Sequence, residues 1–517
     1  MSAFTPWPAD LAALYRSLGY WNGTPLGSLL SGRQGLALVA GDTRLTYDEL
    51  ERRVDRLAAG LVRLGIGAGD RVVVQLGNSR GFVELSFALF RLGALPVYAL
   101  PAHREHEIAH LCRVTNAAAY AIPDQVAGFD YRQLARSVGP GLVLVEGDPA
   151  EFVSLASVDS EPVELPPVDP SGVALYLLSG GTTGTPKLIP RTHDDYAYNA
   201  RASAEVCGLG PDTVYLAALP AGHNFPLACP GILGTFTAGG TVVMAASPSP
   251  DEAFALIERE GVTHTAVVPT VALLWAEARD WQTEDLSSLR CLQVGGAKLG
   301  ETQAKGLRAA LGVPLQQVFG MAEGLLNYTR LDDPVELVDT SQGLPLSPHD
   351  EVRILGPDGR EAEMGELYTR GPYTIRGYYE APEHNAIAFT SDGFYRSGDL
   401  VRRLPSGHLV VEGRVKEVIN RGGDKVSAEE VENHLRSHPA IASVAVIALP
   451  HALLGEQTCA CVVAVPGAAV TVKELASYLR EQGVAAYKFP DRVETLDRLP
   501  VTAIGKVDKR ELVRRFT

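Results

Sequence analysis

Leu178-Ser179-Gly180-Gly181-Thr182-Thr183-Gly184-Thr185-Pro186-Lys187 is the stretch from which the rest of the chain is read. An apolar run, Val173 to Leu178, precedes it and reads as a buried strand. The glycines let backbone N–H groups turn inward and approach an anion closely. The hydroxyls add donors, and Lys187 adds a mobile positive charge. That combination suits a polyphosphate. A plain glycine-rich turn between strands accounts for the glycines, but not for the hydroxyls and the lysine gathered with them. The Walker arrangement is excluded. There the lysine directly follows a glycine and precedes Ser or Thr, whereas here Thr185 and Pro186 intervene and Leu188 follows. The stretch reads as a phosphate loop of another class.

Outward from the loop, strands alternate with helices. Upstream, Thr46–Leu64 has helical apolar spacing at Tyr47, Leu50, Val54, Leu57 and Leu61, and Val72–Leu76 is a strand. Ser79–Leu92 reads as a helix, Val97–Leu100 as a strand and Glu105–Val114 as a helix. Residues 1 to about 40 read as an irregular lead-in with a short helix near Asp10–Leu18. Downstream come a helix at Asp194–Val206, strands at Val214–Leu219, Thr241–Ala245, His264–Val268, Leu289–Val294 and Leu315–Phe319, and helices at Asp251–Glu260 and Gly300–Leu311. Such alternation predicts an α/β fold with parallel-rich sheets. Beyond Pro345 the texture changes to hairpins, which predicts a β-rich subdomain. Past about residue 415 a compact α+β tail follows: helices Ala428–Ser437 and Val472–Gln482, strands Ala442–Ala448 and Cys459–Val465.

At 517 residues the chain is too long for a single core. Net charge is −15 and pI about 5.3, against general binding of nucleic acid or an anionic membrane, since both want a basic face. The six cysteines are scattered without Cys-x-x-Cys, which fits a reducing cytoplasm better than a disulfide framework. No signal peptide is read at the N-terminus, and no apolar run approaches the ~20 residues that span a bilayer. The expected location is cytoplasmic.

Five further stretches accompany the loop: His223-Asn224-Phe225-Pro226-Leu227-Ala228-Cys229-Pro230-Gly231; Gln317-Val-Phe-Gly-Met-Ala-Glu323-Gly, a carboxylate just past a strand, where α/β sheets collect ligands; Tyr395-Arg-Ser-Gly-Asp399-Leu; Glu412-Gly-Arg414-Val-Lys416 running on to Gly422-Gly423; and Leu499-Pro500-Val-Thr-Ala-Ile-Gly505-Lys506-Val507. Each alone has a dull explanation: a turn at Ser397-Gly398, a cap at Gly422, a solvated lysine at 506. Their joint order behind residues 179–187 does not. Over nearly the whole chain they resemble the adenylate-forming superfamily of acyl- and aryl-CoA ligases, luciferases and adenylation domains. The segments at 223–227 and 319–333 resemble the stand-alone aryl acid–AMP ligases of siderophore biosynthesis, most of all salicylate–AMP ligase.

The resemblance implies a core spanning 1–414 and a small mobile domain spanning 415–517, hinged at Lys416. It implies two half-reactions: an aryl carboxylate and ATP give aryl-AMP and pyrophosphate, and a phosphopantetheine thiol then takes the aryl group. By the same resemblance, Lys506 bridges the carboxylate and the α-phosphate. Lys187, Ser179, Gly180, Gly181, Thr182, Thr183 and Gly184 hold the outer phosphates, and Glu323 holds Mg²⁺. Gly295, Gly296, Ala297, Val318 and Phe319 line the adenine. Asp399 accepts from the ribose hydroxyls and Arg414 donates to them. His223 joins the catalytic group, and Asn224, Phe225, Cys229, Gly296 and Leu326 form the acid pocket. Gly422 and Gly423 line the pantetheine tunnel. The chain carries no carrier domain after Thr517, so an aryl carrier protein is expected in trans.

Cys229 and Leu326 stand where dihydroxybenzoate ligases of the resembling branch carry Ser and Val. The expected acid is therefore salicylate, with 2,3-dihydroxybenzoate and 3-hydroxypicolinate as alternatives. An aryl-CoA synthetase using coenzyme A is the second enzyme reading. A nucleotide-dependent acid sensor is the non-catalytic one, opposed by the intact Lys187, Glu323, Asp399 and Lys506.

Overall fold

The computed structural model describes residues 4–179, 186–356, 358–414, 418–500 and 507–517, apart from the side chains of 413, 414, 418, 429, 433 and 510. The chain divides into two units. One comprises Met1–Pro101, Cys112–Leu178 and Leu188–Gly413; the other comprises Ala102–Leu111, Ser179–Lys187 and Arg414–Thr517.

In the first unit the alternating pattern builds two sheets. The larger has nine strands. Six run parallel in the order Leu315–Met321, Cys291–Gly295, His264–Val267, Val214–Ala217, Thr241–Met244, Leu36–Ala40, with antiparallel additions at each end. The second has seven strands, parallel except where Val173–Leu178 meets Leu188–Thr192. A separate sheet of four strands from Glu351 to Arg414 is the β-rich part. The second unit carries a sheet in which Gly455–Ala464 pairs with Val418–Arg421, Ile441–His451 and Arg492–Thr495. Three helices, Ala428–Leu435, Val472–Glu481 and Lys509–Phe516, complete it.

Local chemistry accounts for these elements. Thr46 and Glu49 form a capping box that starts helix Tyr47–Arg63, and its buried Tyr47, Leu50, Val54, Leu57 and Leu61 recur at the expected spacing. Ser79 caps helix Arg80–Leu92, and Gly93 ends it in the left-handed conformation. One expectation is corrected. The lead-in is not irregular throughout: Leu36–Ala40 is a strand, held parallel to Thr241–Met244. Its run of five apolar residues is short, and only its distant partner makes it a strand. Strands Ala119–Pro123 and Val143–Glu146 also fall where the sequence shows no assigned element.

Candidate active site

Helix His193–Val206 supports the site in the first unit. The Thr192–Asp195 capping box starts it, and most of its residues are buried. Arg191, just before it, is fully buried and donates through Nε to Asp195 at 2.7 Å and through Nη1 to the Ala322 carbonyl at 2.9 Å. A buried ion pair is thus tied to the turn that presents Glu323. Removing one partner of such a pair typically costs about 3–5 kcal/mol. The sequence gives no local sign of this link between residues so far apart in the chain.

Glu323 follows strand Leu315–Met321 and is itself buried. Tyr378 donates its hydroxyl to Glu323 Oε1 at 2.7 Å. A phenol has one proton to give, so the 2.9 Å contact between Tyr378 and Tyr395 has Tyr395 as donor. Burial, with the neighbouring carboxylate second, pushes the Tyr378 phenol well above its ordinary range. The carboxylate is therefore oriented by a relay of two neutral phenols. Neither tyrosine was singled out as a site residue from the sequence.

His223–Gly231, expected as a connection, contains the helical turn Asn224–Ala228. His223 Nδ1 accepts from the Phe225 N–H at 3.2 Å and caps that turn. Asn224, Phe225 and Cys229 are brought together and buried. Tyr196, also missed in the sequence, donates to Asn224 Oδ1 at 2.8 Å. Asn224 Nδ2 donates to Cys229 Sγ at 3.3 Å, and the thiol donates to the Asn224 carbonyl at 3.4 Å. The amide orientation is therefore fixed, with Oδ1 facing Tyr196 and Nδ2 carrying one further N–H. Burial pushes the Cys229 thiol up to about 12, so it stays neutral.

Gly295 joins this group to the sheet. It pairs with Val318 across parallel strands. A Cβ there would stand 2.6 Å from the Val318 carbonyl oxygen, too close for any side chain, and 3.1 Å from Phe225 Cζ. Gly296 and Ala297 follow the strand end, with Gly296 exposed. Phe319 pairs with Asn327, and Leu326 packs across from Gly320 in the adjoining hairpin. Asp399 sits in a bulge: Glu366 faces Leu400 and Tyr368 faces Arg396, so Leu367 alone opposes Ser397, Gly398 and Asp399. Ser397 Oγ donates to the Leu367 carbonyl and accepts the Asp399 N–H, each at 3.0 Å, which closes the bulge.

Leu326 has a buried support. Its N–H donates to the Tyr373 hydroxyl at 3.0 Å, and Tyr373 donates to Asp350 Oδ2 at 2.6 Å. Asp350 Oδ1 is buried without a hydrogen-bond partner among the described residues. Burial pushes the carboxyl up to about 7, from an ordinary 3.8. The folded protein therefore holds this proton where the unfolded chain releases it. The resulting stability is fully present below about pH 4 and is lost as pH rises to about 7. Asp350→Asn should remove this pH dependence. Urea midpoints across that range should shift progressively in the variant's favour as pH rises; parallel profiles for the two proteins would contradict the assignment.

In the second unit, the Ser179 N–H donates to the Lys187 carbonyl at 2.9 Å, and the Lys187 N–H donates to Ser179 Oγ at 3.3 Å. The base of the sequence-defined loop is thus closed. Gly180, Gly181, Thr182, Thr183, Gly184, Lys416 and Lys506 lie outside the described residues, as does the Arg414 side chain. Gly422 and Gly423, with φ of 59° and 100°, make the turn between strands Val418–Arg421 and Asp424–Ser427. That backbone alone is reason enough for glycine there.

Known proteins match this chain along almost its full length. The family of AMP-binding enzymes matches residues 32–379, and the AMP-binding enzyme C-terminal domain matches residues 430–506. A 2,3-dihydroxybenzoate-AMP ligase of Bacillus subtilis is 54% identical over 525 residues, covering 99% of this chain and 97% of that protein. A salicyl-AMP ligase / salicyl-S-ArCP synthetase of Mycobacterium tuberculosis is 52% identical over 537 residues, covering 100% of this chain and 95% of that protein. The apo structure of Mycobacterium smegmatis MbtA superposes with a TM-score of 0.76 at 50% identity, covering 99% of each chain.

Proposed function

We propose, from the premise that the chain belongs to the AMP-binding enzymes, that it activates an aryl carboxylic acid with ATP and transfers the aryl group to a phosphopantetheine thiol. In the first step a carboxylate oxygen attacks the α-phosphorus and pyrophosphate leaves. In the second the thiol sulfur attacks the acyl carbon and AMP leaves. The observation that carries this reading is the buried Tyr196–Asn224–Cys229 group against the Phe225 ring. An oriented amide next to an aromatic side chain suits a planar acid with a polar substituent.

The reacting partners are both anionic, so the work is neutralisation and alignment. Lys187 and the loop after Ser179 take the outer phosphates, and Lys506 takes the carboxylate and α-phosphate. Asp399, presented by its bulge, accepts from the ribose hydroxyls, and Arg414 donates to them. Gly296, Ala297, Val318 and Phe319 lie along the adenine, and His223 positions the turn that bears Asn224. Glu323 fits a magnesium ion, being a hard oxygen donor whose direction Tyr378 fixes. When bound, that ion supplies positive charge between phosphate oxygens.

Residues 415–517 act in this reading as the mobile domain, with Lys416 as hinge and Gly422 and Gly423 along the path of the pantetheine arm. The acceptor is an aryl carrier protein in trans, with coenzyme A as the alternative. No described helix is long and apolar enough to cross a membrane, and the six cysteines stand as free thiols, which suits the reducing cytoplasm.

Acid-dependent ATP–pyrophosphate exchange over a panel of aryl acids tests the reading. Nucleotide binding without exchange for any acid would favour the sensor instead. Tyr196→Phe provides a sharper check on the acid site. Loss of one neutral hydrogen bond is worth about 1 kcal/mol, or roughly fivefold. KM for an ortho-hydroxy acid should rise by about that factor, with kcat nearly unchanged and benzoate less affected. A kcat loss common to all acids would count against Tyr196 as the group that orients Asn224.

A further inference from the structure

His106, Glu430 and His434 bring two imidazoles and a carboxylate together within the second unit, with one ligand atom of each within 4.8 Å of the others. Glu430 and His434 are four residues apart on helix Ala428–Leu435, which sets them on one face. His106 comes from the first turn of helix Glu105–Thr115. Its ring stands edge-on to that of His434, with centroids 5.1 Å apart. Behind them Lys488 Nζ donates to Glu430 Oε1 and to Glu107 Oε1, each at 2.8 Å. These three side chains are no more than 5% exposed. Two carboxylates thus share one ammonium, and when both are ionised the group holds one uncompensated negative charge away from water. Such a charge is costly unless something neutralises it.

We propose that His106, Glu430 and His434 form a binding site for a divalent transition-metal cation, with zinc as the reference ion. Two nitrogens and one oxygen suit zinc, nickel or copper, whereas magnesium and calcium take oxygen donors. The site is therefore separate in chemistry from the magnesium role given to Glu323. A bound divalent cation more than offsets that single negative charge. Lys488, already on Glu430 Oε1, fixes the carboxylate's direction as outer partners of metal ligands do. The run His106-Glu107-Ile108-Ala109-His110 has the spacing of zinc peptidases, yet it is not read as one. Glu107, which would have to serve as the base, is bound to Lys488, and the atoms that converge with His106 come from Glu430 and His434.

The test titrates metal-free full-length protein with Zn²⁺ against a chromophoric chelator. One equivalent should bind and raise the thermal midpoint. His106→Ala and His434→Ala should each weaken binding by roughly 100-fold or more, since even outer partners cost about 10–100-fold. The metal-free melting of each variant shows whether it is folded. Cu²⁺ electron paramagnetic resonance of the unmutated protein counts ligand nitrogens without any substitution, and two are expected. No stoichiometric binding, unchanged affinity in either folded variant, or a count other than two would overturn the proposal.

Discussion

Replacing Lys506 with alanine should slow acid-dependent pyrophosphate exchange by roughly 10²–10³-fold, the usual effect of losing one preorganised charge-stabilising donor. Transfer from preformed aryl-AMP to a thiol should fall far less. The argument begins with charge. The carboxylate and the α-phosphate repel each other until a cation lies between them, and the attack passes through that close approach. After adenylation the carboxylate charge is gone, and the thiol step has no such pair to bridge. Lys506 itself lies outside the described residues, but the ends of its segment are placed. The Asp508 N–H donates to the Pro500 carbonyl at 2.8 Å, and Asp508 caps helix Lys509–Phe516 through the Glu511 N–H. The two residues that flank its segment, Pro500 and Asp508, are thus held to each other at the start of a capped helix. Substitution there should leave the melting of the protein unchanged. If alanine damages both half-reactions equally, Lys506 is not specific to adenylation, and the alternation of two working arrangements loses its support.

Much of this site could be read from the sequence because its parts are short segments with strong local constraints. The base of the loop between Ser179 and Lys187 and the strand that ends before Glu323 follow from nearby residues, whereas the expected turn at Ser397-Gly398 is a bulge made against Leu367, with Asp399 buried in it. Apolar spacing located most of the long helices within a residue or two, and the structure adds the caps at their ends, Thr46 with Glu49 and Ser79 with Gly93 among them. What could not be read depends on partners far away. Tyr196 reaches Asn224, Tyr378 reaches Glu323, Arg191 reaches Ala322 and Asp350 reaches Tyr373, across separations of 23 to 131 residues. No period or motif marks a tyrosine whose hydroxyl will meet a distant carboxylate. Strand Leu36–Ala40 was missed for a similar reason: five apolar residues become a strand only against Thr241–Met244.

The identity of the acid turns on a few of these side chains rather than on overall likeness. The relatives at 54% and 52% identity are named for different acids, 2,3-dihydroxybenzoate and salicylate, so whole-chain identity does not choose between them. The proposed pocket residues offer a chemical basis for an expected preference. A 3-hydroxyl on the ring needs a partner once water is excluded. Cys229 offers a weak one, and its thiol is already engaged: it accepts from Asn224 Nδ2 and donates to the Asn224 carbonyl. Leu326, buried across from Gly320 and held through its N–H by Tyr373, adds apolar bulk on a wall that is not free to retreat. A hydroxyl placed there would lose water without a good partner, at about 1–3 kcal/mol. Salicylate presents only C–H at that edge. Its ortho hydroxyl can meet the remaining N–H of Asn224, whose other side Tyr196 holds. Cys229 also packs in the core, as small buried cysteines commonly do; its bonds to Asn224 tie it to the amide proposed to meet the acid. Salicylate should therefore exceed 2,3-dihydroxybenzoate by roughly 10-fold or more in kcat/KM, about what one mismatched polar group commands. Cys229→Ser with Leu326→Val should narrow or reverse that ratio, because the serine hydroxyl can serve both Asn224 and a 3-hydroxyl while valine opens the wall. 3-Hydroxypicolinate keeps the ortho hydroxyl and the same outline, so it belongs in the same assay. A wild type that prefers 2,3-dihydroxybenzoate in pyrophosphate exchange would show that Cys229 and Leu326 do not set the polarity of the ring's 3-edge.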